Sequence, residues 1–206
     1  MSADRAPPPK ATSGGTEGEP VRRLDRRTVA ENSKWRVTFD HVESPEGLSV
    51  PDYLVIEPLK PRADLVTGVS VLPIVDGRAV LVRCYRFPLE RDVWEVVRGF
   101  VEPGEDLMAA VLRELSEETG LTCRPADVVP LGCCMPEPST MVARGALFAA
   151  LHCRPGGHRI DDELGLGEMR SFDLSELDGM MSRFEIEEAS TALTILRFRL
   201  WQAAYR

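Results

Sequence analysis

The stretch GFVEPGEDLMAAVLRELSEETGL, residues 99–121, decides how the rest of the chain is read. Asp106 stands where a helix N-cap is expected, ahead of LMAAVLRELSEET, and Gly120 stands at the expected C′ position. With 100° per residue and Glu114 set at zero, Leu107 falls at about 20°, Glu118 at about 40°, Val111 at about 60° and Glu117 at about 300°. Glu114 and Glu118 therefore continue the stripe that Leu107 and Val111 begin. Its N-terminal half faces a core, and its C-terminal half presents carboxylates in the same direction, whereas a solvated face would lie opposite the apolar one. Two like charges at i, i+4 repel, and partial burial worsens the repulsion. A hard divalent cation, Mg²⁺ or Mn²⁺, reverses the sign of that energy by binding carboxylate oxygens. Helical geometry by itself leaves both a metal site and an acidic face open.

The bulk properties narrow the surroundings. A chain of 206 residues with 43% hydrophobic and 28% charged side chains fits one packed domain with a small appendage. The formal net charge of -8 argues against nucleic acid or an anionic membrane as partner, while leaving room for a local basic pocket that binds a phosphorylated ligand. The five cysteines, at 84, 123, 133, 134 and 153, contain no C-x-x-C and read as reduced thiols of a cytoplasmic protein. His41, His152 and His158 do not cluster, which disfavours a zinc site or a Ser-His-Asp triad. No apolar run is long enough to span a bilayer, and the polar, Pro- and Gly-rich residues 1–20 read as a disordered tail without a signal core.

Along the chain, residues 33–58 alternate apolar and polar positions around a Pro-Glu-Gly turn, which predicts a hairpin or meander. Two β-branched runs joined by Asp76-Gly77 predict a second hairpin. VWEVVRGF reads as one further strand ending at Gly99, VVPLGCCMP, ALFAALHC and MRSFDL as strands, and GGHRIDDELGLGE as a polar loop. From Ser175 the pattern is helical with a break near Arg183-Phe184, and its apolar stripe predicts a closing helix.

The residues around the glutamates carry a longer pattern. Gly99, Glu105, Arg113, Glu114, Leu115, Glu117, Glu118, Gly120 and Leu121 fill every fixed position of G-x5-E-x7-R-E-U-x-E-E-x-G-U, where U is aliphatic. The sequence thus resembles the Nudix hydrolases, which cleave a nucleoside diphosphate linked to another group. The resemblance implies an α+β fold, a mixed β-sheet sandwiched between helices in an α/β/α arrangement, with a small N-terminal antiparallel β-sheet. Residues 21–60 would form that N-terminal β-region, serving dimerisation and the nucleoside pocket, and residues 61–206 the Nudix hydrolase domain. It also implies that Glu114 and Glu118 are principal ligands of Mg²⁺ (or Mn²⁺), with Glu117 a further ligand and the peptide carbonyl of Arg98 a backbone ligand. Glu105 and Arg113 take a supporting role, Arg113 holding the glutamates through a charge-assisted fork with Glu105 or Glu117. Gly99 and Gly120 supply backbone conformations that a Cβ would resist.

Outside this box, GVSVLPIVDGRAVLVRCYRFPLERDVWEVVRGFVEPGE is similar to the corresponding segment of ADP-ribose pyrophosphatases, and FEIEEASTALTILRF to their C-terminal helix. Carried over, Arg86 contacts the diphosphate. The alternative for Arg86 is a surface strand arginine. Glu95 contacts substrate, orders the site, or is a half-exposed strand residue. Trp35 stacks on adenine from a partner subunit or is a core tryptophan. The general base is expected in the acidic loop, at Glu163, with Glu168 as the other candidate. Two departures bear on the sugar: Val97 and Arg98 stand where many of these enzymes have Pro and a small residue, and the loop with Pro136 and Pro138 lacks the usual Pro-Gly and acidic residue. The expected activity is Mg²⁺-dependent hydrolysis of ADP-ribose or a related nucleoside diphosphate sugar by a homodimer. The alternatives are GDP-mannose, a dinucleoside polyphosphate or a nucleoside triphosphate as substrate, or a non-catalytic ADP-ribose sensor.

Overall fold

A computed structural model describes residues 20–160 and 164–205; the expected tail, except Pro20, and the candidate base Glu163 lie outside the described residues. Strands β1 (Arg22–Glu31), β2 (Trp35–Glu43) and β3 (Ser49–Pro58) form an antiparallel sheet in the order β1-β2-β3. They are followed by β4 (Val66–Val75), β5 (Arg78–Arg86), β6 (Arg91–Glu95) and β7 (Val97–Phe100). Helix α1 (Leu107–Thr119) comes next, then β8 (Leu121–Thr122), β9 (Val128–Cys134), β10 (Arg144–Ala150), β11 (Arg154–Pro155) and β12 (Leu166–Phe172). Helices α2 (Leu174–Ser182) and α3 (Ala189–Ala204) close the chain. No helix among the described residues is long and apolar enough to cross a membrane. The described chain divides into two compact units, residues 20–67 with 135–144, and residues 68–134 with 145–205.

In the first unit, the meander expected from residues 33–58 is present as β2 and β3, with Gly47 at φ 85° in the turn. Strand β1 lies within the β-region expected over residues 21–60 but carries no apolar alternation that marks it as a strand of its own; all but one of its residues are exposed. Charge pairs across the ladder hold it to β2, Arg22 donating to Glu43 at 2.7 Å and Arg26 to Asp40 at 2.8 and 2.7 Å. The segment 135–144 joins this unit through Ile56 N–H to Thr140 O at 2.7 Å and Tyr53 Oη to Ser139 O at 2.6 Å.

The second unit is built on a mixed sheet in the order β12-β5-β4-β10-β9. The β4–β5 hairpin turns at Asp76 (φ 49°) and Gly77 (φ 79°), the left-handed pair that a two-residue turn needs. Only Ile74–Ala79 and Val75–Arg78 pair across the two strands, which then splay, and β6 and β7 fill the fork. The single strand expected over VWEVVRGF is in fact two: β6 pairs with β5 up to Glu95, and β7 pairs with β4 from Val97. Val96, fully buried, is the crossing point, and its N–H leaves the ladder to bond Thr191 Oγ1 at 3.1 Å. Likewise β12 begins at Leu166, ahead of the expected MRSFDL strand, because Leu166 already pairs with Cys84.

Alternate residues of the central strands face opposite layers. Leu72, Ile74, Ala79, Leu81, Leu147 and Ala149 pack with Leu177 and Met180 of α2 and Ile195 and Phe198 of α3. Residues of the other parity, including Val71, Val80, Val82 and Ala146, are just as buried, and α1 brings Ala110, Val111 and Leu115 as its own buried stripe. Strands buried on both faces need helices on both, the α/β/α arrangement. A fully buried leucine such as Leu72 or Leu81 contributes roughly 2–3 kcal/mol.

Candidate active site

Helix α1 starts and stops where its sequence dictates. Asp106 accepts hydrogen bonds from Met108 N and Ala109 N at 2.9 and 3.0 Å, and Gly120 at φ 67° donates from its N–H to Ser116 O at 2.8 Å. The helix packs on β7, so its inward stripe runs from Val111 to Glu114 and Glu118. Both glutamates are buried, 7% and 3% exposed, a costly arrangement for two like charges one turn apart.

Both carboxylates approach the β7 backbone, at neighbouring residues. Glu118 Oε1 lies 3.4 Å from the backbone N–H of Arg98. A Cβ placed on Gly99 would meet the Glu114 carboxylate at 2.0–2.3 Å. The glycine is therefore needed for room: only a bare Cα lets the Glu114 carboxylate sit against the Arg98–Gly99 backbone.

Arg113 lies at the centre of the remaining box residues. Its guanidinium forks onto Glu105 at 2.9 and 3.0 Å, and Nη1 reaches Glu114 at 2.7 Å and Glu117 at 2.9 Å. Nη2 also donates to Phe100 O at 2.9 Å, tying the helix to the end of β7. The Glu105 carboxyl is held below its ordinary value by the Arg113 hydrogen bonds, which outweigh burial.

A second chain of charges runs beside the first. Arg86 forms a two-bond fork with Glu95, 2.6 Å each, which raises the guanidinium pKa further. Glu95 is 1% exposed, so it is a buried anion and not the half-exposed strand residue that was one reading of the sequence. Arg98 Nε lies 3.2 Å from the same carboxylate, and Arg98 Nη1 lies 2.7 Å from Glu188. Glu188 caps α3, accepting from Ser190 N at 3.1 Å and Thr191 N at 2.7 Å. Burial pushes the Glu188 carboxyl up, but Arg98 and the Ser190 and Thr191 hydrogen bonds together hold it below the usual carboxylate value. Glu188 was not singled out from the sequence. Its signal, an acid followed by Ser-Thr at the start of the closing helix, is that of a cap, and only the fold brings that cap to Arg98.

The other candidates sit on other elements. Glu168 is on β12, exposed, and faces Arg83 at 3.4 Å rather than the glutamate helix. Trp35 opens β2 in the first unit, half-buried, with its N–H bonded to Asn32 Oδ1 at 2.8 Å. Among the described residues, no three His, Cys, Asp or Glu side chains gather to hold a metal by themselves. Arg113 engages Glu114 and Glu117, and Glu114 and Glu118 are the two buried carboxylates that approach the backbone at Gly99 and Arg98. Carboxylate and peptide oxygens are the donor types that a hard divalent cation prefers, and the crowded like charges are what such an ion would neutralise.

The sequence profile of the NUDIX domain matches residues 64–190. The chain belongs to the Nudix family. It is a Nudix hydrolase, and members of this family generally use divalent metal ions. It is similar to the ADP-ribose pyrophosphatase of Bacillus subtilis (strain 168), 25% identical over 189 residues that cover 89% of this chain and 97% of that one. The ADP-sugar pyrophosphatase of Mus musculus is 29% identical over 133 residues, 62% of this chain and 61% of its own length. A crystal structure of an ADP compounds hydrolase superposes with a TM-score of 0.77 at 22% identity, covering 92% of this chain and 98% of that one, which shows the shared fold.

Proposed function

We propose that this Nudix hydrolase cleaves the pyrophosphate bond of ADP-ribose or a related nucleoside diphosphate sugar with Mg²⁺, giving AMP and ribose 5-phosphate from ADP-ribose. The observation that carries the reading is the approach of buried Glu114 and Glu118 to the β7 backbone at Gly99 and Arg98, with the Arg86 and Arg98 guanidiniums on the adjoining strands. The similarity to ADP-ribose and ADP-sugar pyrophosphatases points to the substrate class.

In this reading Glu114, Glu118 and the Arg98 carbonyl would hold the ion, with Glu117 as a further ligand. When bound, such an ion would supply neutralisation of charge developing on the pyrophosphate oxygens and a more acidic water. Arg86, oriented by its fork to Glu95, presents its outer N–H groups to the diphosphate. Glu105 and Arg113 keep the glutamates aimed. Glu163, in the acidic loop, is the proposed base; Glu168 is set aside because it pairs with Arg83. Exposed Leu24, Val29, Val50 and Leu54 on the N-terminal sheet support a homodimer formed there, with Trp35 reaching the partner's adenine. Five free thiols agree with a cytoplasmic location.

The test is product-resolved turnover with Mg²⁺ on ADP-ribose, GDP-mannose, NADH and a dinucleoside polyphosphate, with Glu118→Gln beside the unaltered protein. AMP and ribose 5-phosphate should form from ADP-ribose, and kcat should fall roughly a thousandfold in the variant, equivalent to several kcal/mol of lost charge stabilisation. Turnover of another substrate alone would reassign the pocket. Binding of ADP-ribose without turnover would overturn the enzymatic reading in favour of a sensor.

A further inference from the structure

We propose that Cys123 and Cys153 form a reversible dithiol–disulfide pair, a chemically reactive site separate from the glutamate cluster, which clips β8 to β11 behind the last turn of α1. The register carries the argument. Thr122 pairs with Arg154 and Leu121 with Pro155 in the antiparallel β8–β11 ladder, so the next facing positions are Cys123 and Cys153. Facing residues in such a ladder have Cα atoms about 4.5–5.5 Å apart. A disulfide spans about 4.4–6.8 Å, so a register continued by one step puts the two cysteines within bridging reach.

The side chains agree with the register. The Cys153 S–H is directed either at Ala150 O, 3.1 Å away, or at the Cys123 sulfur. Cys123 is half-buried and Cys153 is buried, so an oxidant reaches Cys123 first. The hydrogen bond from Cys153 favours the Cys123 thiolate, while the same bond, with burial, pushes the Cys153 thiol up. Asp127 is the nearby anion that opposes either thiolate, and its own charge is offset by Arg124, His152 and Arg154. The remaining cysteines are worse placed for pairing: Cys84 is buried in β5, and Cys133 and Cys134 are successive residues of β9 whose side chains point to opposite faces.

The oxidant is a peroxide. The Cys123 thiolate attacks one peroxide oxygen, the O–O bond breaks, and the departing alkoxide or hydroxide takes a proton, leaving Cys123 as a sulfenic acid. The Cys153 sulfur then attacks the Cys123 sulfur, expelling the sulfenic oxygen as water with the Cys153 proton. Two thiols are oxidised by two electrons and one peroxide is reduced. Cys153 becomes able to attack because oxidation of Cys123 removes the thiolate that was holding its proton.

The bridge closes at a mechanically important place. Gly156 and Gly157 both donate from N–H to Gly120 O, at 3.2 and 2.9 Å, His158 N donates to Ser116 Oγ at 2.8 Å, and Ile160 N to Glu117 O at 2.7 Å. The segment after β11 is thus laced to the turn of α1 that carries Glu117 and Glu118, and the disulfide pins the start of that lacing.

The reduced full-length protein is exposed to a small excess of hydrogen peroxide, alkylated, and its peptides mapped without reduction. The expected result is a loss of two hydrogens from the intact mass, a peptide linked through Cys123 and Cys153, and reversal by a dithiol reductant. The oxidised form should melt about 5 °C or more above the reduced form, since the link closes a long loop. In Cys153→Ser, a 1,3-dione should trap sulfenic acid at Cys123. The mapping needs no variant, so a misfolded Cys153→Ser would not rescue the idea. Bridges involving Cys133 or Cys134, or equal oxidation of all five thiols, would overturn it.

Discussion

The N-terminal sheet and the α1 site both crowd arginines around a buried carboxylate, and they settle the charge in different ways. In the sheet, Arg26 forks onto Asp40 and reaches Glu57 at 2.8 Å, Arg36 bridges Glu57 at 3.3 Å and Glu31 at 2.5 Å, and Arg23 lies 3.7 Å from Asp40. Three guanidiniums serve three carboxylates, and the network staples strands together. On α1, the single guanidinium of Arg113 is shared among Glu105, Glu114 and Glu117, while Glu118 rests near the N–H of Arg98. The first arrangement is electrically closed. The second concentrates negative charge on rigid elements, at a cost in stability that a divalent cation would offset. A balanced network stabilises the fold, and an unbalanced one held in place by packing is the arrangement that the proposed ion would complete.

That contrast is most directly broken at Gly99. In Gly99→Ala, the added Cβ must displace the Glu114 carboxylate, which it would otherwise meet at 2.0–2.3 Å. Affinity for Mg²⁺ should weaken about 10–100-fold in calorimetric titration, with the circular dichroism unchanged. An unaltered affinity would show that the cradle does not set the ion site.

Next in size is the sheet. In Asp40→Ala the buried partner of Arg26 is lost, and urea unfolding should show a loss of about 2 kcal/mol at neutral pH, moderated because Arg26 is partly exposed. Burial pushes the Asp40 carboxyl up, but Arg26 and Thr38 hydrogen bonds outweigh it and hold the value below the ordinary one. A depressed folded pKa gives stability that is present above the unfolded pKa and lost as pH falls through the folded one. The gap between the two proteins should therefore close in acid, and a gap independent of pH would mean that the carboxylate charge is not what matters.

The smallest effect belongs to Glu105→Gln, which weakens the Arg113 fork but leaves Arg113 its bonds to Glu114, Glu117 and Phe100. About 1 kcal/mol of stability at neutral pH and a severalfold drop in kcat/KM are expected. The stability difference should also vanish in acid, since the Glu105 carboxyl is likewise held low. A fall in kcat as deep as that expected of Glu118→Gln would show Glu105 to be a ligand and not a support.

What could be read from the amino-acid sequence was local. The α1 boundaries follow from Asp106 and Gly120, the β4–β5 hairpin from Asp76-Gly77, and the family from the spacing of nine residues between Gly99 and Leu121. These depend on backbone conformation and on periodicity within a few turns, which neighbouring residues dictate. The bounds of strand β1 within the expected β-region could not be read because cross-strand charge pairs hold it, and those have no sequence period. The division of VWEVVRGF at Val96 depends on which partner, β5 or β4, each half pairs with. Glu188 reaches Arg98 from the far end of the chain, and β11, next to Cys153, pairs with β8, next to Cys123, across an intervening pair of strands. The sequence by itself determined which side chains carry charge and which face of α1 they share. Tertiary structure alone decided which of them are buried together, because burial and pairing are set by chain segments that meet only when the sheet closes.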